Sequence, residues 1–417
     1  MTSTSAGENN LSCLWITPKW PLPATDGARV ANCSLIRNLT ALGVKIDLLS
    51  IVEGSEIVHC DTALSELGVR SAQVLRRGGV MGISRARMVS LGLGFLKKPL
   101  VALTLQNFSE VHLKAQWDLL LSSMPRGFSA VVYDGLHPAA HALQRGVYHK
   151  SPLIGRMIYR AHNRESDIWR RKAEESTHSP LRYFFSYQAR LLKRFENSVV
   201  KEAYATASVS DEDVARFRED NSAARLRTVP IGFTFTPPPP FREDPDRPHQ
   251  LLFLGKLDWA PNREGLVWFL ERVWPTVTHR REDLALIVVG SGDTSFLDKY
   301  RSLPRLKIVG QVDNLAEIYT DSIASLVPIF YGSGTRVKAI EASRYGRPCI
   351  STALGVEGVG LTPGESYFHG ETPEEWIRLL EQLTFSEAQT YGCRAHDIAR
   401  RRFDEVLTAQ AFLELLC

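Results

Sequence analysis

Ser325–Gly358 reads SLVPIFYGSGTRVKAIEASRYGRPCISTALGVEG. An apolar run ends at Pro328, and a loop carries Gly332, Ser333 and Gly334. Helical periodicity begins near Thr335, with Arg336 and Lys338 in the first turn, and a second apolar run covers Pro348–Thr352. Two short runs that are apolar throughout, separated by a helix, predict neighbouring parallel strands buried on both faces. The same rhythm extends upstream. Gln250–Leu254, Leu284–Val289, Arg305–Val309 and Ala324–Pro328 read as strands, with a helix over Arg263–Val273.

Between Thr236 and His249 the rhythm stops. TPPPPFREDPDRPH holds six prolines, which exclude helix and central strand. Before it the alternation is present again. Strands are expected at Ser12–Thr17, Val44–Val52, Ala130–Asp134, Arg156–His162, Ala203–Val209 and Leu226–Ile231, with a helix over 28–42. The fold class is therefore α/β, with two doubly wound parallel-sheet domains. The expected division is a domain over 1–235, a proline hinge over 236–249, a second domain over 250–385 and terminal helices over 386–417. Ligands of such sheets sit outside the carboxyl ends of the strands.

Composition agrees with this reading. Of 417 residues, 44% are hydrophobic and 23% charged, which excludes a disordered, collagenous or coiled-coil chain. Six scattered cysteines form no CxxC, against a disulfide framework or a structural zinc site. No apolar stretch reaches the ~20 residues of a membrane span, and no basic leader precedes the first apolar run. A cytoplasmic protein is the expectation. A P-loop, a GxGxxG after a strand, HExxH and GxSxG are all absent. Asp211-Glu212-Asp213 follows Ser210 at a helix start and Asp244-Pro245-Asp246 lies in the proline run, so neither is read as a metal site.

The net charge of +4 conceals a split. Residues 1–240 hold 30 Lys+Arg against 21 Asp+Glu, and residues 241–417 hold 20 against 25. Leu67–Ser109 carries seven cations, among them Arg85, Arg87, Lys97 and Lys98, and no acid; 156–194 adds ten cations against four acids. Such a surface suits an anionic membrane, an acidic acceptor, or plain solvent. No nucleic-acid module is present.

Cations in a first helical turn oppose the helix dipole unless an anion sits there. Arg336 and Lys338 behind a glycine loop therefore point to a phosphate or diphosphate, with Glu341 one turn on to accept from paired hydroxyls. A solvated helix face with ordinary salt bridges would give the same pattern.

The block from Leu251 to Gly358 resembles the donor domain of retaining glycosyltransferases of family 4, which have the GT-B fold. Gly255 to Asn262 matches G-x5-P-N, and Gly332 to Ala342 matches G-S-G-T-R-x-K-x-x-E-A. Gly346 to Pro348 and Ser351 to Gly358 match the two motifs that follow. The N-terminal half matches more loosely, through Asp26-Gly27 and His162-Asn163-Arg164-Glu165. The resemblance implies a sugar transferred from a nucleoside-diphosphate sugar to a glycan or lipid-linked acceptor, in surface-polysaccharide synthesis, with no metal and no cofactor. It implies Lys256, Arg336 and Lys338 on the diphosphate and His162 beside the reacting sugar. Gly27, Gly255, Asn262, Arg263, Ser333, Gly334, Thr335 and Glu341 would line the donor site. Two positions depart from the family. Ser333 stands where many members have the first Glu of a Glu-x7-Glu pair, and Asn262 stands where many have a Lys, with Arg263 adjacent. A nucleotide-sugar 2-epimerase of the same fold and a non-catalytic nucleotide-sugar-binding subunit are the alternatives.

Overall fold

The computed structural model describes residues 11–24, 27–53, 56–77, 105, 127–144, 155–176, 179–242, 248–312, 314–332 and 335–417. These residues form two units. The first joins Met1–Gly232 to Thr408–Cys417, and the second is Phe233–Leu407.

In the first unit the elements run β1 (Ser12–Thr17), α1 (Gly27–Ala41), β2 (Lys45–Glu53), α2 (Cys60–Leu67), β3 (Ser71–Arg77), β4 (Ala130–Asp134) and α3 (Leu136–Gln144). They continue with β5 (Arg156–Ala161), α4 (Glu165–Glu175), α5 (Ser179–Glu202), β6 (Ala205–Ser208), α6 (Asp211–Asp220) and β7 (Leu226–Thr228). The seven strands lie in the order β3-β2-β1-β4-β5-β6-β7, and every pair is parallel. Alternate residues of β1 serve opposite faces, as a strand's period of two demands. Leu14 and Ile16 join Leu49, Val131 and Tyr133 in one core, while Cys13 and Trp15 join Ile46, Leu48 and Val132 in the other. β7 is shorter than expected because Val229-Pro230 leaves the sheet.

The second unit runs β8 (His249–Leu254), α7 (Ala260–Arg272), α8 (Trp274–Arg280), β9 (Leu284–Val289), β10 (Leu306–Gly310), α9 (Leu315–Thr320) and β11 (Ser322–Val327). It continues with α10 (Val337–Arg344), β12 (Cys349–Ser351), β13 (Phe368–His369), α11 (Pro373–Gln382), α12 (Phe385–Phe403) and α13 (Glu405–Leu416), whose last turns belong to the first unit. Its sheet has the order β10-β9-β8-β11-β12-β13, again with every pair parallel. Leu251, Phe253, Phe269, Trp274, Leu326 and Trp376 are buried in its core. Each sheet reverses its strand order at its first strand, between β1 and β4 and between β8 and β11. These are the points where open α/β sheets leave a crevice.

Two connections differ from the expected division. Residues 233–242 belong to the second unit, where the buried Arg347 fastens them. Its guanidinium donates to Pro239 O (3.1 Å) and Pro240 O (3.2 Å) and stacks 3.8 Å from the centre of the Phe241 ring. The described part of the proline run is thus a strap bound along its own unit. The 386–417 segment also divides. α12 stays on the second unit because Gly392 lets it rest on the carbonyl of Gly346, where a Cβ would stand 2.0 Å from that oxygen. Only Thr408–Cys417 groups with the first unit, where Ala409, Phe412 and Leu416 are buried and Phe412 packs 5.4 Å from Trp15.

Candidate functional site

At the crevice between β8 and β11 a cavity of about 240 Å³ opens in the second unit. Gly255, Lys256, Asn262, Thr335, Arg336, Lys338 and Glu341 line it, with Trp259 at its wall. Local sequence explains how they converge. β8 stops at Leu254, and the chain turns through Gly255 and Lys256 into α7, whose first turn holds Pro261 and Asn262. β11 stops at Val327, and its loop delivers Arg336 to the N-cap of α10 and Lys338 to the first turn. The helix starts two residues later than the sequence predicts, so Arg336 is the flanking residue and not yet helical.

Lys338 is the centre of this arrangement. Its ammonium donates to Asn262 Oδ1 (2.8 Å) and lies 4.3 Å from the centre of the Phe253 ring. Asn262, 4% exposed, is held in turn by donating from Nδ2 to Lys256 O (2.9 Å). No carboxylate among the described residues pairs with Lys338. Burial therefore pushes the ammonium down to about 7. Gly255 is a matter of space: a Cβ there would stand 2.9 Å from Lys338 Nζ and 2.7 Å from Asn262 Nδ2.

Arg336, 6% exposed, donates from Nη2 to Gly332 O (3.2 Å) and Glu357 Oε2 (3.0 Å), while its buried Nε has no partner. Burial pushes the Glu341 carboxyl up, and no hydrogen bond to protein engages it among the described residues. Lys256 is exposed at the rim. Two cations that are substantially buried, with donors left over and no full complement of carboxylates, make a cavity that is incomplete without an anion.

One expected member of the second unit stands elsewhere, and two belong to the first unit. Arg263 stacks 4.5 Å from the centre of the Phe296 ring and lines a separate groove, because it lies about 100° further round α7 than Asn262. Gly27 begins α1 and His162 follows β5, both in the first unit. Ser333 and Gly334 lie outside the described residues, as do Asp26, Arg85, Arg87, Lys97, Lys98 and the pair Asp244 and Asp246.

At the crevice of the first unit the structure builds a polar cluster that sequence reading missed. Asp134 ends β4, is 1% exposed, and accepts from Arg160 Nη1 (2.7 Å), from Asn32 Nδ2 and from His162 Nε2 (2.8 Å). Burial alone would raise its pKa, but His162 and Arg160 together hold it well below the ordinary carboxylate range. Asn32 also donates to Thr17 Oγ1 (3.0 Å) and accepts from Trp15 Nε1 (3.2 Å). His162 is thereby oriented by a buried carboxylate. The one sequence signal was Asp134-Gly135, an acid closing an apolar strand before a glycine whose φ is +100°.

Asp211-Glu212-Asp213 is the first turn of α6, where the Ser210 hydroxyl accepts from Asp213 N (3.1 Å) and Thr228 Oγ1 donates to Asp211. Among the described residues no His, Cys, Asp and Glu side chains cluster as metal ligands, and no helix is long and apolar enough to cross a membrane.

Residues 248–384 match the family described as glycosyl transferases group 1. A 44.6 kDa protein of the cps region of Klebsiella pneumoniae is 29% identical over 136 residues, 30% of this chain and 35% of that protein. The chain thus spans about a third of the length of that curated relative. Among solved structures, sucrose-phosphate synthase from Thermosynechococcus elongatus superposes with a TM-score of 0.65 at 16% identity, over 97% of this chain and 98% of that one. The lipopolysaccharide outer core galactosyltransferase WaaB gives 0.60 at 14% identity, over 97% and 99%. Anabaena HepE, solved in complex with UDP and glucose, gives 0.60 at 13% identity, over 97% and 98%. Residues 248–384 are therefore similar to the group 1 glycosyl transferases, within a chain whose fold is GT-B.

Proposed function

We propose that this protein transfers a hexose-type sugar from a nucleoside-diphosphate sugar to an acceptor hydroxyl, with retention at the anomeric carbon, in the synthesis of a surface polysaccharide or a lipid-linked glycan. The observation that carries this is Lys338, a largely buried ammonium at a strand-end crevice with no carboxylate partner among the described residues. The second unit supplies most of the donor cradle, with Gly27 and His162 of the first unit assigned to the diphosphate and the reacting sugar. Lys338, Arg336 and Lys256 meet the diphosphate, with the backbone at Gly255 and Thr335 closing around it. Glu341 accepts from the paired hydroxyls of the ribose. The cps-region relative supports the polysaccharide setting, and the UDP held by HepE supports a nucleotide-sugar donor.

The chemistry follows from charge. Negative charge grows on the β-phosphate as the glycosidic bond breaks, and the proton of the attacking hydroxyl leaves with that developing oxyanion. Fixed donors aimed there contribute about 3 kcal/mol each to the barrier reduction. In this scheme the side chains supply the positive charge that a divalent ion supplies elsewhere. Glu341, carrying a raised pKa and unengaged by protein, is suited to a ligand that donates to it.

A panel of UDP- and GDP-sugars tests the reading through release of free nucleoside diphosphate without acceptor. One donor is expected to be hydrolysed slowly, and Lys338→Ala is expected to abolish release while the circular dichroism spectrum is kept. Release that is unchanged in the variant overturns the cradle. Tight donor binding with no release at any protein concentration favours the non-catalytic binding subunit.

A further inference from the structure

In the first unit, α4, α5 and α6 enclose a groove of about 820 Å³. Arg164, Arg170, Arg182, Arg190, Lys193 and Arg216 line it, against three carboxylates, Asp167, Glu174 and Glu219. The packing that creates it is apolar. α4 and α5 form a hairpin in which Trp169 meets Phe185 edge to face at 5.8 Å, and the polar faces of both helices turn outward beside α6.

The ion pairs within this groove do not use up its positive charge. Asp220 is shared by Arg164 and by Lys193 (3.0 Å). Asp167 is shared by Arg170 (3.3 Å) and Arg216 (3.1 Å). Glu174 takes the second arm of Arg170 at 2.6 Å. Asp167 and Asp220 thus each serve two cations, whereas Glu174 meets Arg170 alone and Arg216 also lies 3.7 Å from Asp213. Arg182 and Arg190, both exposed, have no carboxylate partner at all among the described residues. Arg164, only 7% exposed, spends one donor on Asp220 and stacks 5.6 Å from the Phe217 ring centre, and its Nε is left unpartnered. Arg182 and Arg190 are left to solvent beside a buried guanidinium with an unused donor, a set of donors that an anion would engage. Five of the six cations are arginines, whose planar forks match the paired oxygens of a phosphate better than a lone carboxylate or a diffuse field requires. The groove begins two residues beyond His162, at the strand end where a ligand of this unit would lie.

We infer that this groove binds a phosphate or diphosphate group carried by the acceptor substrate, an inference that rests on the transferase reading above. The acceptor is then a phosphorylated or diphosphate-linked glycan. Its anionic group is held by Arg182, Arg190 and Lys193 while the hydroxyl to be glycosylated is presented elsewhere.

Inorganic pyrophosphate is the probe, titrated calorimetrically into the full chain. Wild type is expected to show two classes of site. Arg182→Gln/Arg190→Gln is expected to lose one or weaken it at least tenfold, and Lys338→Met is expected to lose the other. Both arginines are exposed, so the double variant keeps its fold, which urea denaturation checks. Unchanged stoichiometry and affinity in the arginine variant overturns the inference. A single wild-type class that the arginine variant loses, and Lys338→Met does not, upholds the groove and removes the donor cradle. Co-sedimentation with phosphatidylglycerol vesicles distinguishes the source of the phosphate. Pelleting that depends on Arg182 and Arg190, with pyrophosphate binding unaffected by them, overturns the acceptor assignment in favour of a lipid surface.

Discussion

Binding of a nucleoside diphosphate is expected to take up a proton, and Lys338 fixes how much. In the free protein burial pushes its ammonium down to about 7, from an ordinary value of ~10.4. Below pH 7 the folded and unfolded chains both hold this proton, and the cost of burying the charge stands in full. Between pH 7 and about 10 the folded chain has released it while the unfolded chain has not, so stability rises with pH across that window. A diphosphate reverses the balance by supplying the missing negative charge. At pH 8 about nine-tenths of the free protein carries neutral Lys338, so saturation with UDP takes up ~0.9 proton, and at pH 6 only ~0.1. Calorimetric titrations in Tris and in HEPES read this directly, because the observed enthalpies differ by the uptake times the difference in buffer ionisation enthalpy. Lys338→Met keeps the apolar stem against Phe253 and removes the charge. It is expected to abolish uptake and diphosphate binding while stabilising the free protein at pH 6 by on the order of a few kcal/mol. Equal enthalpies in the two buffers at pH 8 for wild type, or the same buffer difference in the variant, would refute the reasoning.

Other perturbations follow from the same geometry. Arg347→Ala removes the donors to Pro239 O and Pro240 O from a side chain that is fully buried; a loss of about 3–5 kcal/mol in urea denaturation is expected, with new proteolytic cleavage near the proline run. Asp134→Asn strands the buried Arg160 and is expected to cost about 3–5 kcal/mol at pH 7. The wild-type carboxylate sits well below its ordinary range, so its contribution is present above pH ~4 and fades as pH falls, and the variant's disadvantage shrinks in acid. Glu196 caps the start of α4, accepting from Glu165 N (2.9 Å) and Ser166 Oγ (2.8 Å), yet burial pushes its carboxyl up to about 7. Its raised pKa makes the folded chain less stable as pH climbs from ~4.3 to 7. Glu196→Gln is expected to flatten that slope, by on the order of 3 kcal/mol between pH 5 and pH 8.

Much of the fold was legible because a parallel sheet writes itself as continuous apolar runs. β1, β4 and β9 coincide with the sequence reading to the residue. The pocket was legible in part, because Gly255, Asn262, Arg336 and Lys338 occupy strand ends and first helical turns, positions that turn chemistry and the helix dipole mark out. What remained hidden is long-range. Asp134, Arg160 and Asn32 each sit inside an element whose pattern is otherwise unremarkable, and their meeting depends on β4 and β5 being neighbours in the sheet. Arg347 falls in a glycine–proline motif, but its burial under the strap depends on partners some 107 residues away. Arg263 was expected to add charge to the pocket beside Asn262, and one residue's rotation around α7 instead turns it onto Phe296. The basic stretches 67–109 and 156–194 were legible as charge, but not which of their cations are paired. Within 156–194, Arg160, Arg164, Arg170 and Lys193 are paired with carboxylates, and Arg182 and Arg190 are among the cations left without one, both at the groove.

A crystal structure of the full chain with UDP tests the central claim most directly. The β-phosphate is expected within about 3 Å of Lys338 Nζ, with Arg336 beside it and the ribose hydroxyls on Glu341. A β-phosphate bound away from Lys338, with the Lys338–Asn262 contact unchanged, would contradict it.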